Sequence, residues 1–176
     1  YRERSLGLGT MGFHAFLQSK ALPFNGLQST SHNHVMFSHI KKRAVESTKR
    51  LAEDRGEAPD IHGGGKRNSH LLAVAPNASS SIICGNTSPS IEPFRANVYT
   101  HKTLSGSYQV RNRYLDKLFK KKGLNIEKRE KLWKNISSVN GSVQHLDILD
   151  VNEKEIFKTA PEINQIYIVE HAHMRQ

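Results

Sequence analysis

The chain has a single cysteine, Cys84, in 176 residues. That excludes an internal disulfide and any metal site built on clustered thiolates, and it suits a reducing compartment. No run of about eighteen apolar residues occurs, so no stretch reads as a transmembrane helix. The opening YRERSLG lacks the apolar core of a signal peptide. Together these absences read as a cytoplasmic chain. Apolar residues are sparse at 36% and aromatics make up 7%, which fits a piece of a larger fold or a domain with much exposed surface. Acidic residues also run short. There are 16 Asp plus Glu against 26 Lys plus Arg, a formal charge of +10 before ten His are counted. Such a balance suits a nucleic-acid or phosphate-rich partner, or the basic share of a larger protein whose acidic share lies elsewhere. The length suffices for one domain of roughly 100–200 residues. The chain does not begin with Met and ends inside a helical pattern, so both ends read as cuts.

What is present begins with a Gly-punctuated stretch, Arg4–Gly12, which lacks the spacing of a dinucleotide fingerprint and reads as a close-packed turn. Phe13, Phe16 and Leu17 predict a short helix with one apolar face, and Pro23–Gly26 a loop. Thr30 or Ser31 is placed to cap a long helix ending at Gly56, with Val35, Ile40, Ala44, Val45, Leu51 and Ala52 on one face. Its Lys41, Lys42, Arg43, Lys49 and Arg50 make either a solvated flank or a nucleic-acid face. His32, His34 and His39 carry no zinc-binding spacing. Gly63–Gly65 reads as a loop. Further on, Val98–Val110 predicts two extended segments joined at Ser105-Gly106. Asn112 is placed to cap a helix over Arg113–Lys122 closed by Gly123. Ile126–Ile136 predicts a helix with Leu132, Trp133 and Ile136 inward, and Asn140-Gly141 a turn. Asn152 is placed as the cap of the next helix. Pro161 marks a break or the start of a helix over Glu162–Met174, with Ile163, Ile166 and Val169 as its apolar side.

The stretch His70–Pro93 organises the rest. Leu71–Ala75 is short, apolar and reads as a buried strand, which Pro76 stops. Asn77 can then cap a helix through its side-chain oxygen, with Ser79, Ser80 and Ser81 adding hydroxyls in the first turn. A strand, a tight turn and a hydroxyl-rich helix start form either an ordinary capped connection or an anion site. No Lys and no Gly-rich loop sits here, which excludes the common nucleotide-triphosphate loop.

APNASSSIICGNTSPSIEP at Ala75–Pro93 resembles the substrate-phosphate loop of the ribonucleotide reductase large, catalytic subunit, of the aerobic class I that pairs with a diiron radical subunit. RSLGLGTMGFHAFLQSK (Arg4–Lys20), RGEAPD (Arg55–Asp60), RNSHLLAVAP (Arg67–Pro76), VYTHKTLSGSYQVRN (Val98–Asn112), NGSVQHLD (Asn140–Asp147) and KEIFKTAPEINQ (Lys154–Gln165) are similar to that family, in order.

The resemblance implies an α/β fold, a helix-rich part of the C-terminal half of a ten-stranded α/β barrel, with residues 1–176 a single partial domain. It implies reduction of ribonucleoside diphosphates to deoxyribonucleoside diphosphates by thiyl-radical chemistry, for DNA precursor synthesis. Pro76, Asn77, Ala78, Ser79 and Ser80 would bind the substrate diphosphate. Catalytic residues and metal ligands would be absent from this chain. The radical-bearing cysteine and the barrel's cysteine pair belong upstream of Tyr1, and the paired radical-transfer tyrosines downstream of Gln176. The implied cofactors lie elsewhere: a diiron-tyrosyl radical in the small subunit, thioredoxin or glutaredoxin as reductant, and ATP or dNTP effectors at other sites. The implied partners are the substrate, the remainder of the large subunit and the small subunit, with no membrane and no nucleic acid. Cys84 matches none of the family's cysteines and is assigned a packing role. Pro161 departs from the family pattern, where a larger apolar residue is usual. The other readings are a basic nucleic-acid-binding module, which would need aromatic platforms among its basic residues, and a non-catalytic decoy or structural fragment.

Overall fold

A computed structural model describes residues 2–175. The chain enters extended. Leu6 and Leu8 donate backbone N–H groups to His70 O and Leu71 O, each at 3.0 Å, and Ala73 returns one to Leu8 O at 3.1 Å, so residues 6–8 and 70–73 run parallel. The stretch read as a turn at Arg4–Gly12 is therefore extended, and its glycines serve close approach. A Cβ on Gly9 would stand 2.8 Å from the Ala75 Cβ. Parallel segments need a long crossover. It is supplied by α1 (Phe13–Ser19) and α2 (Leu27–Arg55).

Helix α1 begins at the Phe13 of the predicted apolar face and buries more than that face, taking in His14, Ala15 and Gln18. Helix α2 starts earlier than Thr30 or Ser31, with Gly26 extended at its N-cap position. Ser29 explains the difference, because its hydroxyl donates to Gly26 O and Phe24 O (2.5 and 2.7 Å) and so ties the first turn to the preceding loop. Its buried stripe is partly polar, with Ser29, Asn33, Thr48 and Ala52, while Val35 is 64% exposed against expectation. Gly56 ends the helix as predicted.

Beyond the extended segment lie α3 (Ala78–Ile83), the antiparallel hairpin β1 (Val98–Thr103) and β2 (Gly106–Arg111), α4 (Arg113–Lys121) and α5 (Ile126–Ser138). The hairpin, both helices and the Asn112 cap agree with the sequence; the Asn112 side chain accepts from Tyr114 N and Leu115 N. Helix α6 (Val151–Ile156) is capped by Asp150, not Asn152. Asp150 and Glu153 form a reciprocal capping box that satisfies two end donors at once, which Asn152 cannot match. Pro161 lies in a 3₁₀ turn, Ala160–Glu162, and α7 (Ile166–His173) starts only after it. On α7 the apolar side is rotated from the prediction. Ile163 is buried, but Ile166 and Val169 are 51% and 61% exposed, and Tyr167, Ile168 and His171 turn inward.

Two apolar clusters result. One gathers Val98, Leu115, Phe119, Trp133, Ile136, Val143, Leu146, Leu149, Ile156 and Phe157. The other gathers Phe13, Leu17, Phe24 and Ile163 under α2 and α7. Between them runs a buried polar seam. Asn112 Nδ2 donates to Gln18 Oε1 and Asn97 Oδ1, and Asn97 Nδ2 donates to Phe157 O and Gly141 O. Gly141, with φ +83°, brings that carbonyl in; a Cβ there would lie 2.5 Å from the Ala96 Cβ.

Candidate functional site

The extended segment delivers the chain to the turn at Pro76–Ser80, but it is not the buried strand the sequence suggested. It pairs on one side only, Ala73 is exposed and Val74 is 60% exposed. An apolar run becomes a buried strand when neighbours cover it on both sides, and among the described residues only residues 6–8 do so.

Pro76 is exposed and lines a cavity of about 330 Å³ shared with Ser90, Ile91, Glu92 and Ile168. Asn77 occupies the N-cap position of α3, yet its side chain does not cap. Its backbone (φ −23°, ψ 46°) departs from the extended conformation that aims a capping oxygen at the first turn. The amide instead staples the turn to two neighbours: Nδ2 donates to Thr10 O (3.3 Å) and Oδ1 accepts from Ser90 N (2.8 Å). The first-turn amides are consequently left free. Ser81 N bonds to Asn77 O, whereas the N–H groups of Ala78, Ser79 and Ser80 have no acceptor among the described residues. Ser79 and Ser80 are exposed and their hydroxyls are unengaged, while the Ser81 hydroxyl is used up on Ala78 O at 2.6 Å. The predicted set therefore divides. Ser79, Ser80 and Ala78 present donors to solvent, Asn77 positions them, and Pro76 shapes the wall. Three free amides and two hydroxyls at a helix start match an anion's need for converging donors.

Cys84 stands at the C-terminal end of α3 and is exposed, so it does not pack in a core as the sequence reading assigned. The short helix turns its apolar positions outward; Ile83 is 84% exposed.

The scaffold behind the turn went unread in the sequence. Gly12 N donates to Ser88 O (2.7 Å) and the Ser88 hydroxyl accepts from Ala15 N (3.2 Å), locking the segment that holds Asn77. His14 is fully buried, and its Nδ1 accepts from Phe94 N at 2.9 Å. Burial drives its pKa from 6.5 down to about 3, against a smaller opposing pull from the Ile156 carbonyl. This imidazole is therefore neutral and serves as a fixed acceptor. These partners stand 80 and 73 positions apart in sequence, beyond the reach of any spacing rule.

Among the described residues, no cluster of His, Cys, Asp and Glu could hold a metal ion, and no helix is long and apolar enough to cross a membrane. The basic face of α2 has no stacking platform. Its one aromatic, Phe37, is half-buried against Phe13 and the Arg175 guanidinium.

Comparison with known proteins places this geometry. The family described as "Ribonucleotide reductase, barrel domain" matches residues 1–64 and 58–176. The ribonucleoside-diphosphate reductase large subunit of Invertebrate iridescent virus 3 is 48% identical over 99% of this chain, which covers 28% of that relative. Its counterpart from Invertebrate iridescent virus 6 is 45% identical over 99% of the chain, covering 18% of the relative. The solved class Id ribonucleotide reductase alpha subunit of Actinobacillus ureae superposes with a TM-score of 0.88 at 38% identity, over 99% of this chain and 31% of that one. The chain thus spans under a third of the length of these relatives. Its parallel segments, the crossover helices and the turn they lead to are part of an α/β barrel, and the chain belongs to the ribonucleotide reductase barrel-domain family.

Proposed function

We propose that residues 1–176 form a single partial domain of a ribonucleoside-diphosphate reductase large subunit, and that the turn Pro76–Ser80 holds the diphosphate of a ribonucleoside diphosphate. The observation that carries this reading is the set of free donors at the turn: three backbone N–H groups and two serine hydroxyls with no partner among the described residues, in a chain matched from end to end by the family. A diphosphate is acceptor-only and charged, so it answers every one of them. The start of α3 adds a modest electrostatic attraction, typically about 0.3–1 kcal/mol for an anion at a helix N-terminus.

This chain's share of the reaction is to bind and orient. The activity proposed for the assembled subunit is replacement of the ribose 2′-hydroxyl by hydrogen; the relative from Invertebrate iridescent virus 3 is named a ribonucleoside-diphosphate reductase large subunit. No residue here is assigned to the radical chemistry. Cys84 is exposed at the far end of α3, away from the turn at its start. In this proposal the radical comes from a separate diiron-tyrosyl small subunit, the electrons from thioredoxin or glutaredoxin, and allosteric control from ATP and dNTP sites, all outside residues 1–176. The setting is cytoplasmic.

The test uses a chimera in which this chain replaces the matching segment of the Invertebrate iridescent virus 3 large subunit. Ser79→Ala with Ser80→Ala should raise KM for a ribonucleoside diphosphate at least about tenfold, since each hydrogen bond to a charged group is worth roughly 1.5–3 kcal/mol. An unchanged KM removes the turn from the substrate site.

A further inference from the structure

The chain has two Asn-Gly pairs, Asn25-Gly26 and Asn140-Gly141. Asparagine is a chemically labile residue, and most so before glycine, whose nitrogen approaches the asparagine side chain without a Cβ in the way. Loss of the side-chain amide needs that nitrogen free and the backbone around it able to shift. The fold treats the two pairs oppositely. Gly141 is locked: it is buried, its N–H donates to Ile136 O at 2.8 Å, and its carbonyl accepts from Asn97 N and Asn97 Nδ2 at 3.2 and 3.1 Å.

Gly26 is open. It lies in the loop before α2, half-buried, and its N–H has no acceptor among the described residues. The Asn25 side chain is also half-buried and makes no hydrogen bond to any described residue. The residue before this pair is an anchor. Phe24 is fully buried, and its carbonyl accepts from the Ser29 hydroxyl at 2.7 Å and from His171 Nε2 at 3.0 Å. One backbone oxygen thereby joins the first turn of α2 to α7, and Asn25 is the next link in the chain.

We propose that Asn25 is a site of spontaneous deamidation, and that the isoaspartyl linkage it yields loosens the start of α2 from α7. The Gly26 nitrogen gives up its proton to water or hydroxide and attacks Cγ of Asn25. The bond from Cγ to the side-chain nitrogen breaks, and that nitrogen takes up a proton and leaves as ammonia. A five-membered succinimide remains, and one water opens it. Water added at Cγ restores the original backbone and leaves Asp. Water added at the main-chain carbon leaves the chain running through Cβ and Cγ. The balance is one water consumed and one ammonia released. The two products act in opposite directions. Asp sets a carboxylate before α2, whose first turn has no acidic residue, where the helix dipole favours it. The isoaspartyl form adds a methylene to the main chain between Phe24 and Gly26, which puts the Phe24 carbonyl out of register with Ser29.

The experiment ages the chimera described above at neutral pH, folded and in urea, and follows both pairs by peptide mass spectrometry. In the folded protein Asn25 should deamidate at least about tenfold faster than Asn140, which must first give up the Gly141 hydrogen bond; tenfold corresponds to about 1.4 kcal/mol. In urea the two rates should converge. The thermal midpoint should fall on ageing, and fall less in an Asn25→Gln chimera, which cannot close the five-membered ring. Treatment with isoaspartyl methyltransferase and its methyl donor, which returns the linkage toward Asp, should recover the midpoint, and Asn25→Asp should not lower it. Equal or reversed rates at the two pairs in the folded protein overturn the site. An equal fall in the Asn25→Gln chimera overturns the loosening, as does an Asn25→Asp midpoint as low as that of the aged protein, which would assign the effect to charge. None of these outcomes depends on the substrate-KM test of Ser79 and Ser80, so the two readings stand or fall separately.

Discussion

His14 shows how a single side chain ties the site to solution conditions. Its pKa is 6.5 when free and about 3 in the fold, lowered by burial. The unfolded chain therefore binds more protons than the folded one between those two values. Stability from this group is complete above pH 6.5 and is lost as pH falls toward 3. Between pH 7.5 and 5 the loss should be about 2 kcal/mol, because each unit below 6.5 is worth about 1.4 kcal/mol. His171 acts in the same direction, its pKa also lowered chiefly by burial. Urea unfolding at the two pH values measures the slope. His14→Gln, which still offers an acceptor to Phe94 N, should flatten it to the His171 share. Equal stability at both pH values in the unaltered chain would contradict the buried, neutral imidazole. At this scale the sequence was partly informative. It pointed to Ser79 and Ser80, because hydroxyls after an Asn at a turn carry a local meaning. It misjudged Asn77, whose partners Thr10 and Ser90 come from distant and intervening segments. It also passed over His14, whose burial nothing in its neighbours announces.

Among the elements, agreement was closest where one local rule decided the outcome. Asn112 with an apolar stripe behind it, Gly123 after Lys120 to Lys122, and two strand-like runs around Ser105-Gly106 each became the structure they implied. Agreement failed where two local rules competed. Asn152 and Asp150 are both good caps, and the reciprocal bond from Glu153 selects Asp150. Asp150→Ala should therefore cost about 1 kcal/mol, typical of a lost N-cap, and Asn152→Ala a few tenths at most. Equilibrium unfolding of the two variants reads the difference; the reverse ranking would restore Asn152 as the cap. Agreement also failed where the apolar pattern finds no cover among the described residues. Ala73 and Val74 of the Leu71–Ala75 run and the outward Ile166 and Val169 carry the composition of buried strand and helix, yet stand exposed within residues 2–175. Periodicity reports the need for cover and not which segment supplies it.

For the whole molecule, the question is whether the two apolar clusters unfold as one. Few apolar contacts cross from the Trp133 cluster to the Phe13 cluster, and the seam between them is made of Gln18, Asn97 and Asn112. Every amide in it is answered: Asn97 reaches the Gly141 and Phe157 carbonyls, and Gln18 reaches the Ile156 carbonyl. A buried seam of this kind adds little net energy per bond but makes each cluster depend on the other's geometry, since a displaced partner strands a buried polar group at about 1–3 kcal/mol. Trp133, the chain's one tryptophan, lies in the first cluster, and α2, its longest helix, packs over the second. Fluorescence thus reports on the first half, and far-ultraviolet circular dichroism on the helices of both, with α2 the largest share. In the unaltered chain the two should unfold at one midpoint. Asn97→Ala strands the Phe157 carbonyl and one Asn112 donor, and should lower stability by about 2–5 kcal/mol from those two groups. It should also pull the two midpoints apart, with fluorescence and dichroism no longer coincident. Coincident midpoints in the variant would mean that the clusters are coupled through the backbone alone. Separate midpoints in the unaltered chain would mean that they are not coupled, and that the turn at Pro76–Ser80, anchored through Thr10 and Ser90, depends on the Phe13 half alone.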